Sequence, residues 1–197
     1  MENQRSDHKL PFMNISGSKT QNEFSPSQVR ERLQHIGGGE IEFWKYTVLT
    51  DPAIFNEVLN LIFKEEEQVA WRAAWVIDNA TEKYPELLIP HIPAIIEHFL
   101  YTKNSSLHRI FTRILCRHEI PDHLIGTVFD RCYELLSPVH PVAVRANAMQ
   151  VLYNITEHWP DLKPELAMVL SGVLEEGGTA GIISKSRNLL KKLNRNH

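Results

Sequence analysis

Arg109, Arg113 and Arg117 recur at i, i+4 and i+8, with Lys103, His108 and His118 beside them. On a helix this spacing aligns three guanidiniums, each a planar fork that can hold a carboxylate or phosphate in two-point fashion. The stripe is expected opposite the Ile110–Ile114 apolar positions and facing solvent. It reads either as a grip for an acidic or phosphate-bearing partner or as a solvated face paired with nearby carboxylates. The ten histidines raise the question of a metal. Their spacings (His91 and His98, His118 and His123, His140 and His158) form no recognised ligand pair, and neither HExxH nor CxxC occurs. No metal or other cofactor is therefore expected. Gly37-Gly38-Gly39 lacks a following Lys-Ser/Thr and a preceding apolar strand, so it is expected to end a helix rather than cradle phosphate. Cys116 lies beside the Arg stripe, but without an orienting His–acid pair it reads as a structural thiol. No GxSxG marks a serine nucleophile.

The elements that carry these residues read as helices throughout. Ser25-Pro26, Asp51-Pro52, Asn104-Ser105, His140-Pro141 and Gly178-Thr179 are helix-start signals. Apolar stripes at helical spacing follow four of them: Ile54, Val58, Leu61 and Ile62; Ile110, Phe111 and Ile114; Val144, Ala148, Val151 and Ile155; and Leu189, Leu190 and Leu193. Strict period-two alternation bounded by hairpin turns is absent from the sequence. About nine or ten helices are predicted. Residues 1–24 are polar and without apolar periodicity, Phe12, Met13 and Phe24 being too sparse for a core, and are predicted to form a disordered arm ahead of one domain over residues 25–197.

Self-similarity organises the chain. Segments 69–100, 106–136 and 142–174 share one plan, with Arg72, Arg109 and Arg145 near the start of the first helix. Pro85, Pro121 and Pro160 mark the turns, each followed by an acid: Glu86, Asp122 and Asp161. Proline gives up an N–H that the first helical turn does not use, and the carboxylate faces the positive end of the dipole. Each unit is thus a helix, a short proline turn and an antiparallel helix. Within 69–82, Ala70, Ala73, Ala74 and Ile77 form one apolar face and Trp71, Trp75 and Asp78 a neighbouring one, so this helix must be covered on more than one side.

These hairpins, best formed in WRAAWVIDNATEKYPELLIPHIPAII, resemble the HEAT and armadillo-like repeat superfamily over roughly residues 52–193. The resemblance implies an all-α, right-handed alpha-alpha superhelix and a non-enzymatic scaffold on which a protein or peptide partner docks. It also implies an alternative. Alkylation-repair DNA glycosylases with HEAT-like folds cradle a damaged nucleotide between tryptophans and a carboxylate, and Trp71, Arg72, Trp75 and Asp78 are the residues that would do so here. A weaker third option is a helper for cofactor attachment, as in some HEAT-like lyases.

Charge and length set the remaining bounds. With 21 Lys and Arg against 24 Asp and Glu, the net charge of −3 argues against a general nucleic-acid coat or a polybasic membrane binder. It leaves open a small acidic partner. Two cysteines cannot build a disulfide framework, so a reducing, cytoplasmic setting is expected. No apolar run reaches the roughly 18 residues of a membrane span, and the first residues lack the apolar stretch of a secretory signal. The cations Lys185, Arg187, Lys191, Lys192 and Arg195 read as favourable charges at a helix C-terminus, and Glu65-Glu66-Glu67 as the acidic start of a helix.

Overall fold

A computed structural model describes residues 25–64 and 67–195. The arm predicted over residues 1–24, and Glu65 and Glu66 of the acidic run, lie outside the described residues. Among those described, all regular elements are helical: α1 (Pro26–Leu33), α2 (Ile41–Thr50), α3 (Pro52–Lys64), α4 (Glu67–Ala80), α5 (Ile92–Tyr101), α6 (Ser105–Leu115), α7 (Ile125–Glu134), α8 (Val142–His158), α9 (Lys163–Glu176) and α10 (Ala180–Leu193). The expected all-α class is what the described residues adopt. It forms two compact units that meet in sequence between Tyr84 and Pro85, inside the first of the three similar segments.

Most start signals act as their chemistry requires. Asp51 Oδ1 accepts from the N–H groups of Ala53 (2.9 Å) and Ile54 (3.2 Å). Asn104 Oδ1 accepts from Ser106 (2.8 Å) and Leu107 (3.3 Å). Each thereby satisfies two of the donors that a helix N-terminus leaves without an intrahelical partner. Thr179 caps α10 through Ile182 N–H. The three Pro-acid turns each open a 3-10 turn rather than the α-helix itself: Pro85–His91, Asp122–Leu124 and Pro160–Leu162 lead into α5, α7 and α9.

One start-and-stop expectation is corrected. Helix α1 ends at Leu33 with Gln34 as its C-cap, three residues before the glycine run. Gly37 instead precedes the 3-10 turn Gly38–Glu40, its N–H donating to the Glu40 carboxylate at 2.9 Å. None of Gly37, Gly38 and Gly39 takes a positive φ. The glycine that stops a helix through its backbone is Gly177 at the end of α9, with φ 77° and ψ −161°, a region essentially closed to side chains with a Cβ.

In the first unit, α3 and α4 form a hairpin on which α1 and α2 pack. Its core joins Leu33, Trp44, Val48, Ile54, Val58, Ile62, Ala73 and Ile77, all at 1% exposure or less. From Val69 to Ala80 no side chain of α4 is fully exposed, as its broad apolar surface demands. In the second unit α6, α8 and α10 form one layer, α8 packing on both of the others, and α5, α7 and α9 the second. Phe99, Phe111, Ile114, Val128, Leu152, Leu166 and Ile182 are buried between them. No helix among the described residues is long and apolar enough to cross a membrane.

Candidate functional site

The layer α6–α8–α10 is held together by polar side chains that periodicity did not single out. Lys185 Nζ on α10 donates to Gln150 Oε1 on α8. Gln150 Nε2 donates to Asn154 Oδ1 at 2.8 Å, and Asn154 Nδ2 to the Cys116 carbonyl at the end of α6 at 2.9 Å. One turn earlier, Asn147 Nδ2 reaches the Arg109 carbonyl at 3.4 Å, and Cys116 Sγ donates to the Asn147 carbonyl at 3.5 Å. The signal was available: Asn147, Gln150 and Asn154 form an i, i+3, i+7 polar stripe along a helix whose other faces carry the core.

Beside this relay lies a groove of about 580 Å³, bounded by the end of α6, the turn at Asp122, the second half of α8, and Lys192 of α10. Its walls are of both signs. Arg117 and Lys192 contribute cations; Glu119, Asp122 and Glu157 contribute carboxylates. Trp159, 44% exposed, is one of the side chains lining it. Lys192 Nζ lies 5.4 Å from the centre of the Tyr153 ring, close enough for a cation–π contact. Burial, and then the nearby Glu157 carboxylate, push the Tyr153 hydroxyl above its ordinary pKa, so it stays a neutral donor. Burial likewise lowers the Lys185 pKa.

The predicted Arg stripe is placed differently from expectation. Arg109 and Lys103 are exposed, whereas Arg113 and Arg117 are half-buried, and Arg117 lies beyond the end of α6. The reason is angular: Ile110 and Ile114 follow Arg109 and Arg113 by one residue, about 100° around the helix rather than 180°. The arginines therefore flank the buried face instead of opposing it.

The Trp71, Arg72, Trp75, Asp78 group belongs to the first unit. Asp78 is 1% exposed, and both tryptophans are half-buried. The Arg72 guanidinium lies 5.5 Å from the Trp71 ring and donates to the Gln34 carbonyl, just past α1. A glycosylase-like pocket needs a carboxylate open to a nucleotide, and residues 71–78 present a buried one. Among the described residues no group of three His, Cys, Asp or Glu side chains is placed to hold a metal ion.

A second cluster sits where α5 ends. The Thr102 carbonyl, at the α5 C-cap, accepts from His108 Nε2 at 2.9 Å and from Arg131 Nη2 at 3.0 Å. His108 is 3% exposed, with the Phe99 ring edge-on at 6.1 Å. Arg145, 5% exposed, makes the corresponding contact after α7, its Nε donating to the Leu136 carbonyl at 2.7 Å.

A family model of the HEAT repeat domain matches residues 29–193. The chain belongs to the HEAT repeat family. The match takes in both units and all three similar segments, and so covers the whole surface of this HEAT chain described above. No curated protein and no solved structure matches the sequence.

The half-buried His91 and His98 and the buried His108 of this HEAT domain should make its stability depend on pH. Burial lowers the pKa of His91, His98 and His108; for His108, Arg131 and His140 lower it further, while the Thr102 hydrogen bond acts in the opposite sense. A folded-state pKa below the unfolded value means that the unfolded chain binds more protons. The stability these groups contribute is complete above about pH 6.5 and declines as the pH falls toward their folded values. For His108 alone the slope is at most about 1.4 kcal/mol per pH unit. Urea midpoints measured from pH 7.5 down to pH 5 should fall. The profile should flatten in His108→Gln, which keeps an N–H for Thr102 but cannot titrate.

Proposed function

We propose that this HEAT chain is a non-enzymatic interaction module that docks a protein or peptide partner on the α6–α8–α10 layer. The observation that carries the reading is the mixed-charge groove of about 580 Å³ beside Trp159, with the relay Lys185–Gln150–Asn154–Cys116 tying its three helices together. A surface already ordered by part-buried hydrogen bonds loses little conformational entropy when a partner arrives. Exposed Trp with charges of both signs around it is the composition of an interface anchor. Family membership supports the reading, since repeat folds of this kind offer extended surfaces rather than enclosed pockets. The two free cysteines, Cys116 and Cys132, accord with a cytoplasmic location.

Within this layer the exposed Arg109 and Lys103 are the members of the predicted stripe suited to steering an acidic partner; Arg113 and Arg117 would serve closer to the core. The test is cross-linking capture from the native cell with three baits. Trp159→Ala should lose the partner, and Lys103→Glu/Arg109→Glu should weaken capture in a salt-dependent manner. Equal capture by all three baits would remove this layer from consideration.

A further inference from the structure

Residues 177–197 contain five Lys and Arg and no Asp or Glu, although the whole chain is net negative. Helix dipole compensation accounts for Lys191 and Lys192 in the last turn of α10. It does not account for Lys185 and Arg187, which lie near the middle of the helix. Arg187, Lys191, Lys192 and Arg195 are all exposed, and among the described residues no carboxylate pairs with any of these five cations. Lys185 is half-buried, with only the neutral Gln150 amide as its hydrogen-bond acceptor. A partly desolvated cation held by a neutral amide is electrostatically incomplete, and its lowered pKa reports the same deficit.

The surface around these cations is grooved. One depression of about 400 Å³ has Ala180, Ile183 and Arg187 in its walls. A second, of about 470 Å³, has Leu189, Lys185 and Arg195. The two share Asn188 and Lys191, and the second shares Lys192 with the Trp159 groove. The two lie along α10 on either side of its exposed Asn188 and Lys191, and the second borders the Trp159 groove at Lys192. From residue 180 to residue 195 a helix rises about 22 Å, the span of some six or seven residues of extended chain at about 3.3 Å each.

We propose that this exposed cationic face of α10 binds an extended, acidic peptide segment of a protein partner, its carboxylates taken by Arg187, Lys191, Lys192 and Arg195 and an apolar residue seated toward the groove that Trp159 lines. The proposal rests on the interaction-module reading and names the chemistry of its partner. Charge complementarity selects the occupant. The chain's own carboxylates Glu119, Asp122 and Glu157 stand in the groove just past Lys192, and they repel a phosphate backbone that continues beyond α10. A short acidic segment ending in an apolar residue avoids that repulsion, whereas a nucleic-acid strand meets it.

The test uses the full chain and a fluorescein-labelled peptide of five glutamates followed by leucine, read by fluorescence anisotropy at about 0.05 M salt, where surface charges are weakly screened. The control is the same peptide with glutamine at the five positions. Binding of the acidic peptide, weakened about tenfold or more in Arg187→Gln/Lys191→Gln/Arg195→Gln and by raising salt to about 0.5 M, is the expected result. The three substituted side chains are exposed, so the thermal melt of the variant should match the parent. Equal affinity for both peptides, unchanged affinity in the variant, or tighter binding of an oligothymidine of similar length would each overturn the proposal. A peptide that fails to bind overturns the α10 site alone; the Trp159→Ala capture separately decides whether the layer is an interaction surface.

Discussion

Replacing Phe111 with alanine should lower the stability of the second unit by about 3–5 kcal/mol, among the largest single effects available in this chain. The ring is fully buried on α6, the helix that α5 and α8 both pack against, and the His98 ring meets it edge-on at 5.9 Å. Removing it deletes the transfer free energy of an aromatic side chain and leaves a void that Ile110 and Ile114, fixed on the same helix, cannot close. Alanine is the better helix former, but only by about half a kcal/mol. The control is Tyr101→Ala: that side chain is 79% exposed, so its truncation should stay within about 0.5 kcal/mol. Urea unfolding of the two variants beside the parent gives the comparison. If Phe111→Ala unfolds at nearly the parent midpoint, α6 is not at the centre of this core.

The helices were legible in the sequence because their signals are local. A capping side chain, a proline at the first helical position and an apolar stripe each act within four residues, so Asp51, Asn104 and Thr179 announce what they do. The glycine run misled because glycine permits many conformations and compels none. Gly37 precedes a 3-10 turn through its N–H, while the positive φ that ends a helix falls at Gly177. The site was harder to read for a different reason. Whether a cation such as Arg113 reaches solvent depends on the angle between its row and the buried row, and a one-residue offset is enough to half-bury it. The relay through Gln150 and Asn154 pairs residues about 35 apart in the chain, at contacts set by helix packing, which periodicity along one helix does not encode.

The register of the repeat supplies the second large prediction. Equating Arg72, Arg109 and Arg145 spaces them by 37 and 36 residues, but equating Arg72, His108 and Arg145 spaces them by 36 and 37, and spacing cannot choose between the two. Function in the fold can. Arg145 is buried and donates to the Leu136 carbonyl just after α7; His108 is buried and binds the Thr102 carbonyl just after α5; Arg72 donates to the Gln34 carbonyl just after α1. In each case a donor on one helix satisfies a carbonyl that the end of an earlier helix leaves without an intrahelical partner. Arg109 does none of this, because it is exposed. Arg145→Ala should therefore cost about 2–3 kcal/mol, because it leaves a buried carbonyl without its charged donor and opens a void where the long side chain lay. Arg145→Met restores much of the volume but not the hydrogen bond, and should recover about 1 kcal/mol of that loss. Arg109→Ala should change stability by less than about 0.5 kcal/mol. Chemical denaturation of the three variants orders them, and an Arg109→Ala loss equal to that of Arg145→Ala would return Arg109 to the repeat and remove His108 from it.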